Sequence, residues 1–373
     1  TMVRAVFVGR EPMTKQHIWA PLAREFHKNG WETVFCENGK TTGDIGFYCE
    51  DSSLPGNQGF TVITINGLDQ DHVVRPFYTQ WFAKENWGLF DLGILPGARW
   101  LNGWVTRRPS FRNTPRLGVV PVGWFKADEA VKKHSRSFEN KTVKTILYAP
   151  QTEQDGKQKL VVEAAVTTGF FLKIKHWEDD SYIELFPSLL TPSYMQNLTD
   201  ENNLAKEFDN VEIYPVNANF MDTLSGVDLL ITDQSSVLYE AAILNIPTLT
   251  CVGWKHACNN CKGPQPSPDI TISCHPEELA ETLSNIKSQY SDLLEKAKLI
   301  RDNNFIHLGV SAEMAFISIL DVHEHAHCRS YLNILYVRYN TLRQSLNNWL
   351  RLKRRAAKAA IKKKLKVYKN RSY

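Results

Sequence analysis

The chain has 373 residues, 43% of them hydrophobic and 23% charged, with a net charge of +4; this is the make-up of an ordinary globular protein, long enough for two domains and a remainder. No run of about 18 apolar residues occurs, which excludes a spanning helix. The chain begins in a strand, so no secretory leader is expected, and seven irregularly spaced cysteines predict reduced thiols in a cytosolic compartment.

In chain order, Val3 to Val8 is a buried-strand run closed by Gly9. A helix from about Lys15 to Asn29 follows, with Ile18, Leu22 and Phe26 on one face and Gly30 as its stop. Further strands read Trp31 to Cys36, Thr61 to Ile65, Leu92 to Leu95 and Val119 to Val122, with an aromatic-rich helix from about Val73 to Asn86 between them. A charged stretch, 126–144, separates a second set of strands: Thr145 to Ala149, Phe170 to Ile174, Val211 to Tyr214, Asp228 to Thr232 and Thr248 to Cys251. The clearest helices of this set are Val237 to Leu244, Pro276 to Ser288 and Ser291 to Arg301. Alternating strands and helices predict parallel sheets covered by helices. The expected fold class is α/β, two Rossmann-like domains facing a cleft, with ligands at the carboxyl ends of the strands. The domains are expected at 1–125 (acceptor) and 145–325 (nucleotide donor), joined by a linker at 126–144. A crossing helix at 326–350 and a basic tail at 351–373 complete the organisation.

The most informative stretch is Leu229 to Glu240. An apolar run ends in Thr232-Asp233, two serines follow after Gln234, and helical periodicity begins at Val237. Free backbone N–H groups of Ser235 and Ser236 at a helix start favour an anion, and a phosphate or pyrophosphate suits them. Glu240, one turn on, could accept hydrogen bonds from a ribose. The same residues also suit an ordinary helix capped by Asp233 or Ser235.

The net charge conceals an asymmetry. From Arg351 to Tyr373 there are eleven Lys and Arg and no acidic residue, which leaves the rest of the chain at −7. Leu346, Leu350, Ala357, Ile361, Leu365 and Tyr368 recur at helical spacing. A basic helix with a thin apolar face suits an anionic membrane surface. A solvated tail and a nucleic-acid contact are the alternatives. The lack of an aromatic stacking platform disfavours nucleic acid, and no nucleic-acid partner is expected.

Four segments of the second half resemble the CDP-glycerol glycerophosphotransferases, the teichoic-acid and capsule polymerases. Tyr148-Ala149-Pro150-Gln151-Thr152 resembles the family's Y-A-P-T-W-R strand end. Gly123-Trp124-Phe125-Lys126-Ala127-Asp128 resembles its G-Y-P-R-N-D block. Lys173-Ile174-Lys175-His176 resembles its basic-x-His motif. Thr232-Asp233-Gln234-Ser235-Ser236 with Leu244-Asn245-Ile246-Pro247 resembles T-D-Y-S-S and L-N-K-P. Order and spacing match over about residues 115–255. The resemblance implies a glycosyltransferase-B-like fold and attack of an acceptor hydroxyl on the β-phosphorus of a CDP-linked polyol phosphate, with CMP leaving. Phosphoryl transfer of this kind depends on positioning and charge stabilisation. By this resemblance Ser235, Ser236, Lys173 and Lys175 hold the donor phosphates, His176 donates a hydrogen bond or proton to the diphosphate, and Glu240, Asp233, Thr152 and Gly123 border the nucleotide.

The chain departs from the family in places. The family's first half carries W-H-G-T-P, whose His acts as base; here the strand end reads Leu95-Pro96-Gly97-Ala98-Arg99-Trp100. The arginine of T-W-R is replaced by Gln154 or lost. Ile174 holds the usual basic position, and Trp177 replaces a proline. Substitute bases are His17, on the loop side facing the cleft, or Asp69, Asp71 and His72. Cys258 and Cys261 have zinc-ligand spacing among Cys251, His256, Cys274 and His275, but a second C-x-x-C is missing and free thiols are expected. His323, His325, His327 and Cys328 are spread around a helix, which argues against one metal. Glu178-Asp179-Asp180 reads as a solvated loop. No cofactor or metal is expected.

The expectation is thus a cytoplasmic enzyme, peripheral on the inner face of the cell membrane. It moves a polyol phosphate from a CDP-activated donor to a polymeric or lipid-linked envelope acceptor. The alternatives are a glycosyltransferase using a nucleotide sugar, and a non-catalytic nucleotide-ligand-binding protein that recruits partners to the membrane.

Overall fold

The structure, a computed structural model, describes residues 2–9, 12–37, 39–49, 54–65, 67–68, 87–107, 114–134, 142–150, 157–176, 192–215, 217–232, 237–252 and 271–326. The fold is α/β, with two six-stranded parallel sheets. In the first half β1 (Arg4–Val8), β2 (Glu32–Cys36), β3 (Gly43–Tyr48), β4 (Gln58–Ile63), β5 (Leu92–Leu95) and β6 (Val119–Pro121) lie in the order β2-β1-β3-β4-β5-β6. The second sheet holds β7 (Thr145–Tyr148), β8 (Phe171–Ile174), β9 (Val211–Ile213), β10 (Leu229–Thr232), β11 (Thr248–Cys251) and β12 (Ile272–Cys274), in the order β12-β11-β10-β7-β8-β9. Strand order reverses at β1/β3 in the first sheet and at β7/β10 in the second. Such switch points open crevices at the carboxyl ends of the strands.

The described helices are α1 (Pro12–Lys28), α2 (Ala98–Arg107), α3 (Asp128–His134), α4 (Gln158–Thr167), α5 (Pro192–Ala205), α6 (Phe220–Thr223), α7 (Val237–Ile243), α8 (Leu279–Asn304) and α9 (Ser311–His325). Helix α1 forms because Ile18, Leu22 and Phe26 repeat at the helical period and are all buried. It ends at Gly30, whose φ of +84° is the left-handed conformation that glycine adopts without a Cβ penalty. Its buried face meets Phe7 and Phe47, stacked at 4.6 Å, and Trp19 stacks on Phe125 at 5.6 Å. Each such aromatic contributes about 2–3 kcal/mol by leaving water.

The second half differs from the sequence expectation in a sixth strand, β12, which the sequence reading did not include, and in one helix. Pro276 to Ser288 and Ser291 to Arg301 are not two helices. After a 3₁₀ turn at Pro276–Glu278, one helix of 26 residues runs through both. No glycine or proline interrupts it. Tyr290, at the expected break, is buried and donates its hydroxyl to the Asp228 carbonyl at 2.8 Å.

The stretch 126–144 contains a 3₁₀ turn at Phe125–Ala127 and α3. Asp128 is buried and caps α9. Its carboxylate accepts from the backbone N–H groups of Ser311 at 3.0 Å and Ala312 at 2.7 Å. The chain is back on the first half by this point: Phe305 packs on Trp100 at 5.1 Å and Phe316 on Phe26 at 4.8 Å. Two glycines make this close approach. A Cβ on Gly97 would collide with the Asn304 carbonyl, and one on Gly123 with Ser311 and the Ile306 carbonyl. Residues 327–373, and with them nearly all of the expected crossing helix and the whole basic tail, lie outside the described residues, as does the expected helix at 73–86.

Candidate functional site

The candidate site follows from the two switch points. At β7/β10, Thr232 Oγ1 donates to the Ala149 carbonyl at 2.7 Å, tying the carboxyl ends of these strands together. Asp233, Ser235 and Ser236 come next in the chain, ahead of α7; these residues and Thr152 lie outside the described residues. At β1/β3 the chain leaves β1 through Gly9 and enters α1, which carries His17.

His176 ends the extended run of β8 and is 8% exposed. Its Nε2 stands 3.3 Å from Oε2 of Glu201, a fully buried residue of α5, and its ring meets that of Tyr148 edge-on, at 6.4 Å and 80°. A carboxylate against one imidazole nitrogen fixes the ring orientation and favours the protonated ring. Lys175, also buried, donates to the His176 carbonyl at 3.2 Å. Lys173 takes another course: its ammonium donates to the Ser225 carbonyl at 2.9 Å and lies over the Tyr214 ring at 5.5 Å. The two lysines flanking Ile174 therefore have separate surroundings, and Lys175 shares the His176 strand end.

His17 belongs to the first half, yet its charge environment comes from both. Burial pushes its pKa below the usual imidazole range and the positive charge of Lys126 pushes it further down; Asp222 pulls it up, and Lys175 adds a weaker downward push. Lys175 and Asp222 belong to the second half. A neutral imidazole can accept a proton.

Glu240 is 4% exposed. Its Oε1 accepts from Lys126 Nζ at 2.8 Å and from Trp124 Nε1 at 3.1 Å. The expected ribose acceptor is thus engaged by the segment that follows β6. Gly123, expected beside the nucleotide, has φ +96° and packs against Ser311. Nearby, the Arg99 guanidinium lies over the Tyr239 ring at 5.1 Å, and Trp100 meets the same ring at 5.8 Å. The site thereby gains Lys126, Glu201 and Asp222, which reading the sequence did not single out. A motif signal existed for Lys126 alone, as the basic residue of the Gly123–Asp128 block. Glu201 lies in Thr199-Asp200-Glu201-Asn202-Asn203, which reads as an exposed polar run.

Among the described residues no group of three or more His, Cys, Asp or Glu could hold a metal ion, and no helix is long and apolar enough to cross a membrane. Cys251 and Cys274 face each other as register partners in β11 and β12. Cys258, Cys261, Asp69, Asp71, His72 and Glu178 to Asp180 lie outside the described residues.

Two parallel doubly wound sheets in one chain define a glycosyltransferase-B-like fold. Solved structures share it. The wall teichoic acid polymerase TagF, in a crystal soaked with CDPG, superposes with a TM-score of 0.56 at 14% identity, over 88% of this chain and 90% of that one. The S. aureus MnaA–UDP co-structure gives a TM-score of 0.54 at 11% identity, over 87% of this chain and 97% of that one. UDP-GlcNAc 2-epimerase from Neisseria meningitidis, bound to UDP-GlcNAc, gives 0.51 at 13% identity, over 86% and 100% of the two chains. No protein-family model and no curated protein matches the sequence. At such identities the likeness is one of fold.

Proposed function

We propose that this chain is a transferase that binds a nucleoside-diphosphate-activated donor at the carboxyl ends of the second sheet and passes the activated group to an envelope polymer or a lipid-linked acceptor. The observation that carries the reading is the convergence of titratable groups from both halves: His17 lies in the field of Lys126, Lys175 and Asp222, and Lys175 shares a strand end with His176. Cations at the carboxyl ends of parallel strands suit a diphosphate. A neutral imidazole opposite them suits the removal of a proton from an acceptor hydroxyl.

The transfer that the four sequence motifs favour is that of a polyol phosphate. The acceptor oxygen forms a bond to the β-phosphorus of a CDP-linked donor, the bond from that phosphorus to the bridging oxygen breaks, and CMP leaves with the bonding electrons. His17 takes the hydroxyl proton. Lys175, His176 and the serines Ser235 and Ser236 offset the charge on the diphosphate. Glycosyl transfer from a nucleotide sugar is the second reading; structures of the same fold holding UDP (MnaA) and UDP-GlcNAc (the epimerase) support a nucleotide-sugar ligand. Residues 351–373 would hold the enzyme against an anionic membrane surface, where a lipid-linked acceptor resides.

Incubation with CDP-glycerol and with UDP-sugars, in the presence of envelope acceptors, tests the proposal. Release of CMP with a new phosphodiester is the expected outcome. Release of a nucleoside diphosphate with a new glycoside would establish the second reading. Saturable nucleotide binding without turnover would mark a non-catalytic binding protein.

A further inference from the structure

Glu201 is a buried acid that the proposed transfer does not itself use. It is 0% exposed, and among the described residues neither carboxylate oxygen has a hydrogen-bond donor in good geometry. A charge in that setting persists only beside a counter-charge. His176 supplies one, with Nε2 at 3.3 Å from Oε2. Lys175 is a second positive charge at this strand end, its ammonium donating to the His176 carbonyl at 3.2 Å. That charge works against a proton on the His176 ring, so the carboxylate must outweigh it. The ring also meets the edge of Tyr148, which carries no charge at neutral pH.

We propose that Glu201 is a positioning residue that keeps His176 as an imidazolium, oriented to donate a hydrogen bond to an anionic diphosphate oxygen at the end of β8. This rests on the donor-binding reading for the ligand but not for the state of the ring. The two imidazoles of the cleft then divide their work. His176 stays charged and offsets the negative charge on the donor's diphosphate as CMP departs, while His17 stays neutral and accepts the proton. Opposite environments of this kind are how paired titratable groups take opposite roles.

The test uses the full chain, with CDP and UDP as probes. Long-range ¹H–¹⁵N spectra report the ring nitrogens of His176, whose signals are identified by their loss in His176→Gln. Both nitrogens are expected to be protonated at pH 7 in the wild type. In Glu201→Gln the ring should become neutral at a pH lower by roughly one unit. Affinity for CDP or UDP at pH 7 should fall about tenfold in Glu201→Gln, recover at pH 5.5, and be largely retained in Glu201→Asp. A neutral His176 in the wild type at pH 7, or the same binding-versus-pH curve in wild type and Glu201→Gln, overturns the proposal. If Glu201→Gln does not fold, the wild-type spectrum alone decides. If neither nucleotide binds the wild type, the donor-binding reading fails, and the ring spectra still answer for Glu201.

Discussion

Lys126 and Glu240 are 114 residues apart in the chain and meet at 2.8 Å, with side chains only 17% and 5% exposed. The lysine follows the last strand of the first sheet and the glutamate lies in the helix after β10, so the pair joins the two halves directly. Trp124 adds a second donor to the same oxygen. Removing one partner leaves the other buried without its counter-charge, which costs about 3–5 kcal/mol. We expect Glu240→Ala to lower the unfolding free energy by about 3 kcal/mol. The double variant with Lys126→Met should recover part of that loss. Denaturant unfolding of the four proteins in the cycle gives the coupling; strictly additive effects would show that the pair does not stabilise the fold.

Asp128 ties α3 to the start of α9. Burial holds its pKa above the ordinary carboxylate value, and its hydrogen bonds to Ala312 and Ser311 only partly offset this. The folded protein thus binds the Asp128 proton more tightly than the unfolded chain does. Between the unfolded and the folded pKa the native state carries more protons, so this contribution is present below the unfolded value and is lost as pH rises through the folded one. Removing the titration with Asp128→Asn should flatten the stability curve above about pH 4. It should also weaken the cap by about 1 kcal/mol. Melting temperatures of both proteins between pH 4 and 7 check this; parallel curves would remove Asp128 as the source.

For His17 the direction is the opposite. Burial first, then Lys126 and Lys175, hold it below its ordinary pKa. Turnover that needs the neutral ring should rise with pH, with the midpoint of the rise below the ordinary imidazole value of about 6.5. Lys126→Met should move that rise to higher pH, and His17→Asn should cut kcat by about 10²-fold. An unchanged kcat in His17→Asn would exclude it as the base.

Close approach at Gly97 and Gly123 leaves no room for a methyl group, and the backbone at Gly123 is also in the left-handed region. Gly97→Ala and Gly123→Ala should each destabilise the protein by about 2 kcal/mol or more. Gly118, at φ +82° with open space around it, is the control. Its alanine variant should cost about 1 kcal/mol. A loss at Gly123 no greater than that at Gly118 would mean that backbone conformation, and not contact, sets the effect there.

Deleting residues 351–373 removes eleven basic residues. Flotation with phosphatidylglycerol vesicles should show the full chain bound and the shortened one free, because each basic residue near such a surface contributes about 1 kcal/mol. Nucleotide affinity should not change. Equal flotation of both proteins would assign the membrane contact, if any, to another surface.

Much of the architecture was legible in the sequence because buried parallel strands read as apolar runs; β1, β7, β10 and β11 are of this kind. β3 was not, since Gly43-Asp44-Ile45-Gly46 dilutes the pattern. Gly46 is there because the Gln58 side chain crosses it closely, a relation no local pattern encodes. The unbroken α8 was missed because its polar stretch Ser288-Gln289 hides a continuous buried stripe, Ile286, Tyr290, Leu293 and Ala297. In the candidate site, His176 and Lys175 were singled out through the resemblance of a strand-end motif to that of a family. Glu201 was not, for its partner is 25 residues away and its neighbours are polar. Glu240 was singled out by position along a helix, while its engagement by Trp124 and Lys126 is a tertiary fact.

The clasp around residues 304–312 bears on how the protein is made. Gly97, Trp100, Gly123 and Asp128 are synthesised early, whereas the segment that fills the space between them emerges after some 180 further residues. Until then the first half carries an open apolar notch, with Phe26 and Trp100 lacking their later neighbours Phe316 and Phe305. A nascent chain stalled before Asn304 would hold that notch open to the solvent and to chaperones, and completion of the amino-terminal half must await the carboxyl-terminal one.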